Sequence, residues 1–156
     1  MEIGVCEGNC VKHLIKEFPD IQNIVLCDTW GDTYGGSNRS NHEHISEIFE
    51  SEGFPLERVL FLDGNSRDRI PEFFESHQLL LDVIFVDGDH SLLGCLIDIT
   101  NCIKYCNILI VHDVRHPLYG HLKGLCYSFF DTIKDEFIMV DNGEYIIYFI
   151  RKDLFL

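Results

Sequence analysis

One arrangement constrains the fold of this chain more than any other: an apolar run that stops abruptly on charged groups. Leu81-Asp82-Val83-Ile84-Phe85-Val86 ends on Asp87-Gly88-Asp89-His90-Ser91, and a helix later Asn107-Ile108-Leu109-Ile110-Val111 ends on His112-Asp113. Apolar runs of this length, separated by stretches with helical spacing, specify parallel strands joined by crossover helices. In such a sheet, ligands bind beyond the carboxyl ends of the strands. Two neighbouring strands ending in Asp87 and Asp113 therefore put two carboxylates and an imidazole on the lip of one crevice.

The same alternation runs along the chain. Ile3 to Cys6 reads as a short strand, and Val11, Leu14, Ile15 and Phe18 follow at i, i+3, i+4 and i+7. Ile21 to Cys27 is the second strand. Ser40-x-x-Glu43 reads as a capping box opening a helix with Ile45, Ile48 and Phe49, closed by Gly53 and Pro55. Arg58 to Leu62 is the third strand, followed by a helix with Ile70, Phe73, Phe74 and His77, in which Pro71 is expected in the first turn. Leu92, Cys95, Leu96, Ile99 and Ile103 form the next stripe, and Pro117 opens a helix with Leu118, Leu122, Leu125, Phe129 and Ile133. Glu136 to Val140 and Glu144 to Ile150 then read as an antiparallel pair turning at Asp141-Asn142-Gly143, because Asn-Gly accepts positive φ.

At 156 residues the chain is expected to be one domain, 1–156, with a full core. Its formal net charge of -14 repels phosphate backbones and anionic lipid, so neither nucleic acid nor membrane is an expected partner. The N-terminus lacks a basic segment followed by an apolar core, and a cytoplasmic location is expected. The seven cysteines sit mostly in apolar runs and read as small core residues rather than bridges or zinc ligands. The polar stretch from Gly31 to Asn38 reads as a mobile lid.

The remaining strand ends also carry chemistry. Glu2-Ile3-Gly4-Val5-Cys6-Glu7-Gly8 lies at the first strand-to-helix junction, where glycine permits a tight turn and close approach of a ligand. Cys6 occupies the second glycine position of the dinucleotide fingerprint, which argues against a pyrophosphate cradle. Asp28 ends the second strand, where an acid can bridge ribose hydroxyls or cap its own loop. Asp63-Gly64-Asn65-Ser66 ends the third. Asn65 can pair with an adenine edge because its amide both donates and accepts, while Ser66 or Asp68 can cap the following helix.

On these motifs the chain resembles class I S-adenosylmethionine-dependent methyltransferases, and among them the small-molecule O-methyltransferases with Asp-Gly-Asp-His-Ser after the fourth strand. The resemblance runs from Glu2 to about Lys152. It implies a Rossmann-like α/β sandwich: a seven-stranded, mostly parallel sheet with an antiparallel final strand and helices on both faces. It also implies that S-adenosylmethionine lies against Glu2, Gly4, Cys6, Glu7 and Gly8, with Asp28 and Thr29 at the ribose, Gly64, Asn65 and Ser66 at the adenine, and Asp87 beside them. Three departures stand out: the chain starts at the glycine motif without preceding helices, Tyr105-Cys106-Asn107 replaces the usual Pro-Gly-Gly turn, and Val114 stands where metal-dependent relatives carry asparagine.

The expected activity is methylation of a hydroxyl on a small molecule. Asp87 and Asp113 are hard oxygen donors suited to Mg²⁺ or another divalent cation, which would lower the pKa of that hydroxyl. Without a metal, His90 is the expected general base, with Asp87 beside it. The alternative is a degenerate domain of the same fold that binds the cofactor or a protein without catalysis. An NAD-dependent oxidoreductase is disfavoured by Cys6. A central strand so early in the chain, with no helix before it, leads us to expect a homo-oligomer as the working form.

Overall fold

A computed structural model describes residues 1–31 and 41–155. The strands are β1 (Glu2–Ile3), β2 (Ile24–Asp28), β3 (Val59–Asp63), β4 (Leu81–Val86), β5 (Cys106–Val111), β6 (Phe137–Asp141) and β7 (Ile147–Arg151). The helices are α1 (Asn9–Glu17), α2 (His42–Ser51), α3 (Ser66–His77), α4 (Leu92–Cys102) and α5 (His121–Ile133). The strands form one sheet in the order β3-β2-β1-β4-β5-β7-β6. All pairs from β3 to β5 are parallel, and β7 runs antiparallel to both of its neighbours, as expected. The order reverses between β1 and β4, so a crevice opens above their carboxyl ends.

Several local expectations change in the structure. β1 is only two residues long, because Gly4 takes a left-handed φ of 83° directly after Ile3 and turns the chain out of the strand direction. The cap of α2 is Asn41, whose side chain accepts from His44 N; Ser40 and most of the expected lid lie outside the described residues. Asn65 rather than Ser66 or Asp68 caps α3, accepting from Arg67 N at 3.0 Å. The helix therefore starts at Ser66, which places Pro71 in the second turn instead of the first. The terminal hairpin has a five-residue connection, 142–146, since Asp141 pairs with Ile147. Asp141 and Asn142 each accept from a backbone N–H two residues on, which spends the Asn-Gly signal on a wider loop. Leu118 precedes α5 and is exposed.

Alternation along the strands sorts the core into two layers. Ile3, Val25, Cys27, Ile84, Val86, Leu109, Val111, Ile147 and Phe149 face α3, α4 and α5. Ile24 and Leu26 face the other way, onto Val11 and Ile15 of α1 and Ile45, Ile48 and Phe49 of α2. On that second face the register continues through Val83, Ile108, Ile150 and Ile138, and through Phe85, Ile110, Tyr148 and Val140. None of these eight belongs to either core cluster, and Val83, Ile138 and Val140 are exposed. Half of one sheet face is thus uncovered among the described residues. Ile138→Thr and Val140→Thr should each change stability by less than ~1 kcal/mol, whereas Phe149→Ala should cost about 3–5 kcal/mol. Urea unfolding measures both.

Candidate active site

The carboxyl ends of β1 to β5 surround a cavity of about 510 Å³. Gly4, Cys6, Asp28 and Thr29 line it from one side, Gly64, Asn65 and Ser66 from the next corner, and Asp87, Asp89, His90 and Asp113 from the far side. The crevice expected from the sequence is therefore assembled. Of the five residues expected against the cofactor at the first junction, Gly4 and Cys6 line the cavity, whereas Glu2 is buried and Glu7 and Gly8 lie off the wall.

The two glycines of that junction act differently. A Cβ on Gly4, whose φ is 83°, would fall 2.3 Å from the carbonyl oxygen of Asp87, so only glycine lets the ends of β1 and β4 touch. A Cβ on Gly8 would strike Ile45 Cδ1 at 2.6 Å, so Gly8 serves the packing of α1 on α2. Left-handed non-glycine residues gather at the strand ends: Cys6, Trp30 (φ 57°) and Asp113 (φ 57°). Conformations of this kind cost about 1–3 kcal/mol each and cluster at functional sites.

Asp28 is the hub of the wall formed by β1 and β2. Its Oδ2 accepts from Val5 N (2.7 Å) and Cys6 N (3.0 Å), and its Oδ1 accepts from Trp30 N (2.8 Å). The carboxylate thereby ties the glycine loop to the end of β2, and among the described residues one lone pair of Oδ1 remains for a ligand. Outside the cavity, Trp30 Nε1 donates to Asp63 Oδ1, which also lies 2.7 Å from His42 Nε2. His42 has found a carboxylate partner that sequence distance concealed.

Asp87 and Asp113 are bridged twice by histidine. His90 Nε2 lies 3.2 Å from Asp87 Oδ1 and 3.3 Å from Asp113 Oδ2, while His112 Nδ1 lies 3.0 Å from Asp87 Oδ1 and 3.3 Å from Asp113 Oδ1. Burial pushes the Asp87 carboxyl up, but the hydrogen bonds from His112 and His90, with their charge, outweigh it and hold its pKa below the ordinary value. The bond to Asp87 raises the His112 pKa against a smaller opposing effect of burial. The His112 share of stability is complete below the usual histidine value and fades as pH rises through its raised one. The Asp87 share is lost as pH falls through its lowered one. Buried Glu2 stands behind Asp87; burial, then the Asp87 charge, lift its pKa to about 8.

One ligand atom each from Asp87, His90 and Asp113 lie within 4.8 Å of one another. Two carboxylate oxygens and an imidazole nitrogen fit a divalent cation. Val114, in place of the asparagine of metal-dependent relatives, is fully buried and adds no side-chain donor. Two residues that hold His90 in the far wall were not anticipated from the sequence. Tyr119 stacks on His90 with ring centroids 4.4 Å apart, and His121 Nε2 donates to the His90 carbonyl at 2.8 Å. The cluster His116-x-x-Tyr119-x-His121, leading into α5, was the available signal.

Residues 1–114 match the family model of a methyltransferase domain, and the chain belongs to that family. Solved structures share its fold. CalS11, a TDP-rhamnose 3'-O-methyltransferase of calicheamicin biosynthesis, aligns over 97% of this chain and 70% of its own, with 15% identity and a TM-score of 0.72. The O-methyltransferase NovP aligns over 96% and 70%, with 17% identity and a TM-score of 0.69. An O-methyltransferase from Bacillus cereus, solved with SAH, aligns over 96% and 72%, with 15% identity and a TM-score of 0.60. Among curated proteins, the gamma-glutamyl phosphate reductase of Bartonella bacilliformis is 24% identical over 90 residues, 58% of this chain but only 18% of that protein. No helix among the described residues is long and apolar enough to cross a membrane.

Proposed function

We propose that this chain transfers the methyl group of S-adenosylmethionine to a hydroxyl of a small molecule. The observation that carries this reading is the pairing, in one cavity, of an Asp28-anchored glycine loop with the Asp87–His90–Asp113 cluster across from it. The family match and the O-methyltransferases of the same fold support it. The acidic interior suits a cationic sulfonium ligand.

Methyl transfer is an in-line displacement: the acceptor oxygen attacks the methyl carbon, the S–C bond breaks towards sulfur, and the hydroxyl proton must leave. The protein's tasks are alignment and removal of that proton. His90 accepts it, with Nε2 held by Asp87 and Asp113, whose charges stabilise the imidazolium that results. Stacking on Tyr119 and the His121 bond to its carbonyl fix the ring and its backbone. A divalent cation held by Asp87, Asp113 and His90 would instead supply Lewis acidity that lowers the pKa of the bound hydroxyl.

Transfer of label from S-[methyl-³H]-adenosylmethionine to a panel of hydroxylated small molecules tests the proposal, with and without EDTA. Activity abolished by EDTA and restored by Mg²⁺, with cofactor binding intact, assigns the step to a metal. Activity that survives prolonged EDTA and disappears in His90→Gln assigns it to the unaided imidazole. Labelling of no acceptor by a protein that still binds cofactor would favour the degenerate binding domain.

A further inference from the structure

Asp98 is the one acidic residue inside the apolar stripe of α4, and it is 1% exposed. Its Oδ1 accepts a 2.6 Å hydrogen bond from the Ser66 hydroxyl at the start of α3. Its Oδ2 is buried and has no partner among the described residues. That oxygen lies 3.5 Å from where a Cβ on Gly88 would stand, so the carboxylate sits beneath both corners that line the cavity at Ser66 and Gly88. Burying a carboxylate with a single hydrogen bond opposes folding, and an unsatisfied buried group in a native fold asks for an explanation.

The explanation lies in the direction of one proton. A serine hydroxyl has one donor and two acceptor lone pairs. While Asp98 is ionised it takes that donor, leaving Ser66 only lone pairs for a ligand. The neighbouring Asn65 is turned the opposite way: its Oδ1 caps α3 by accepting from Arg67 N, which engages that oxygen with the helix and leaves both Nδ2 donors for a ligand. Side by side at one corner of the cavity stand an acceptor and a donor. An aminopurine edge offers the complementary pair, an exocyclic amine that donates beside a ring nitrogen that accepts. A 6-oxopurine offers the inverse, a carbonyl acceptor beside an N–H donor.

We infer that Asp98 is a positioning residue that locks the Ser66 hydroxyl as an acceptor, making this corner selective for a 6-aminopurine over a 6-oxopurine. The inference rests on the S-adenosyl reading above and adds the residue that enforces its base specificity. Burial, opposed by the Ser66 bond, pushes the Asp98 pKa up to about 6, with Asp89 raising it and Arg67 lowering it, so the group is largely ionised at neutral pH.

The test is calorimetric binding of S-adenosylhomocysteine and of S-inosylhomocysteine, its 6-oxo analogue, to the wild type, Asp98→Asn and Ser66→Ala. The wild type should bind the adenosyl compound about 10- to 100-fold more tightly, because a site built for one hydrogen-bond polarity leaves groups unpaired with the other. Asparagine at position 98 can donate to Ser66 and release its hydroxyl, so Asp98→Asn should narrow the ratio to about 3-fold or less, mostly by improving the inosyl compound. Ser66→Ala should narrow it by weakening the adenosyl compound. The double variant should narrow the ratio no further than Ser66→Ala does. Equal losses for both ligands in Asp98→Asn, with a lowered Tm, would make Asp98 merely structural and overturn the inference. Should Asp98→Asn fail to fold, an unchanged ratio in Ser66→Ala overturns it alone. A wild type that binds neither compound overturns the cofactor reading itself, and this inference with it.

Discussion

Asp28→Ala will lower the unfolding free energy by about 2–5 kcal/mol and weaken S-adenosylhomocysteine binding at least 10-fold. The substitution deletes the acceptor for three backbone N–H groups, those of Val5, Cys6 and Trp30. Each stranded donor costs about 1–3 kcal/mol where it is buried and less where water reaches it, as at exposed Cys6. Cys6 and Trp30 hold left-handed backbone that these bonds maintain, so the loop should relax once they are gone. Asp28→Asn keeps one acceptor oxygen and should fall between the two. Urea unfolding and calorimetry separate the effects; an Asp28→Ala protein of undiminished stability would show that the carboxylate anchors nothing.

Asp87→Asn should reduce methyl transfer by about 10³-fold while changing cofactor affinity only a few-fold. This carboxylate is the shared partner of His90 and His112, and losses of this size follow removal of one member of a coupled catalytic set. The same substitution should let the His112 pKa fall back towards its ordinary value, since the Asp87 hydrogen bond is the largest cause of its rise. It should also lower the pKa of Glu2, which the Asp87 charge helps to raise. Following the His112 ring protons by NMR across pH 5 to 9 reads the first shift directly. A His112 titration that does not move would mean the 3.0 Å contact is not a hydrogen bond in solution.

Much of this site was legible in the sequence, and the reasons are physical. Asp87 and Asp113 announced themselves because an apolar strand that ends on a carboxylate must deliver it to the sheet edge, and adjacent parallel strands bring such ends together. The antiparallel close of the sheet was readable from two apolar runs split by turn residues. What stayed hidden depended on contacts between segments distant in the chain. Tyr119 lies in a loop whose path periodicity does not determine, and only folding stacks it on His90. Asp98 carries no signal of its own in the sequence, because only the packing of α4 against α3 brings it to Ser66. Asp28 was readable as an acid at the right strand end, yet nothing in its neighbours showed that its oxygens would be spent on the backbone of the glycine loop. Gly8 illustrates a related ambiguity: a glycine needed for helix packing carries the same letter as one that admits a ligand.

A cavity built for an S-adenosyl ligand rather than a dinucleotide should discriminate between S-adenosylhomocysteine and NAD⁺ when the protein is titrated with the two side by side. Saturable heat with S-adenosylhomocysteine, weakened at least 10-fold in Asp28→Ala, and none with NAD⁺ is the expected result. Binding of NAD⁺ with no response to S-adenosylhomocysteine would contradict it.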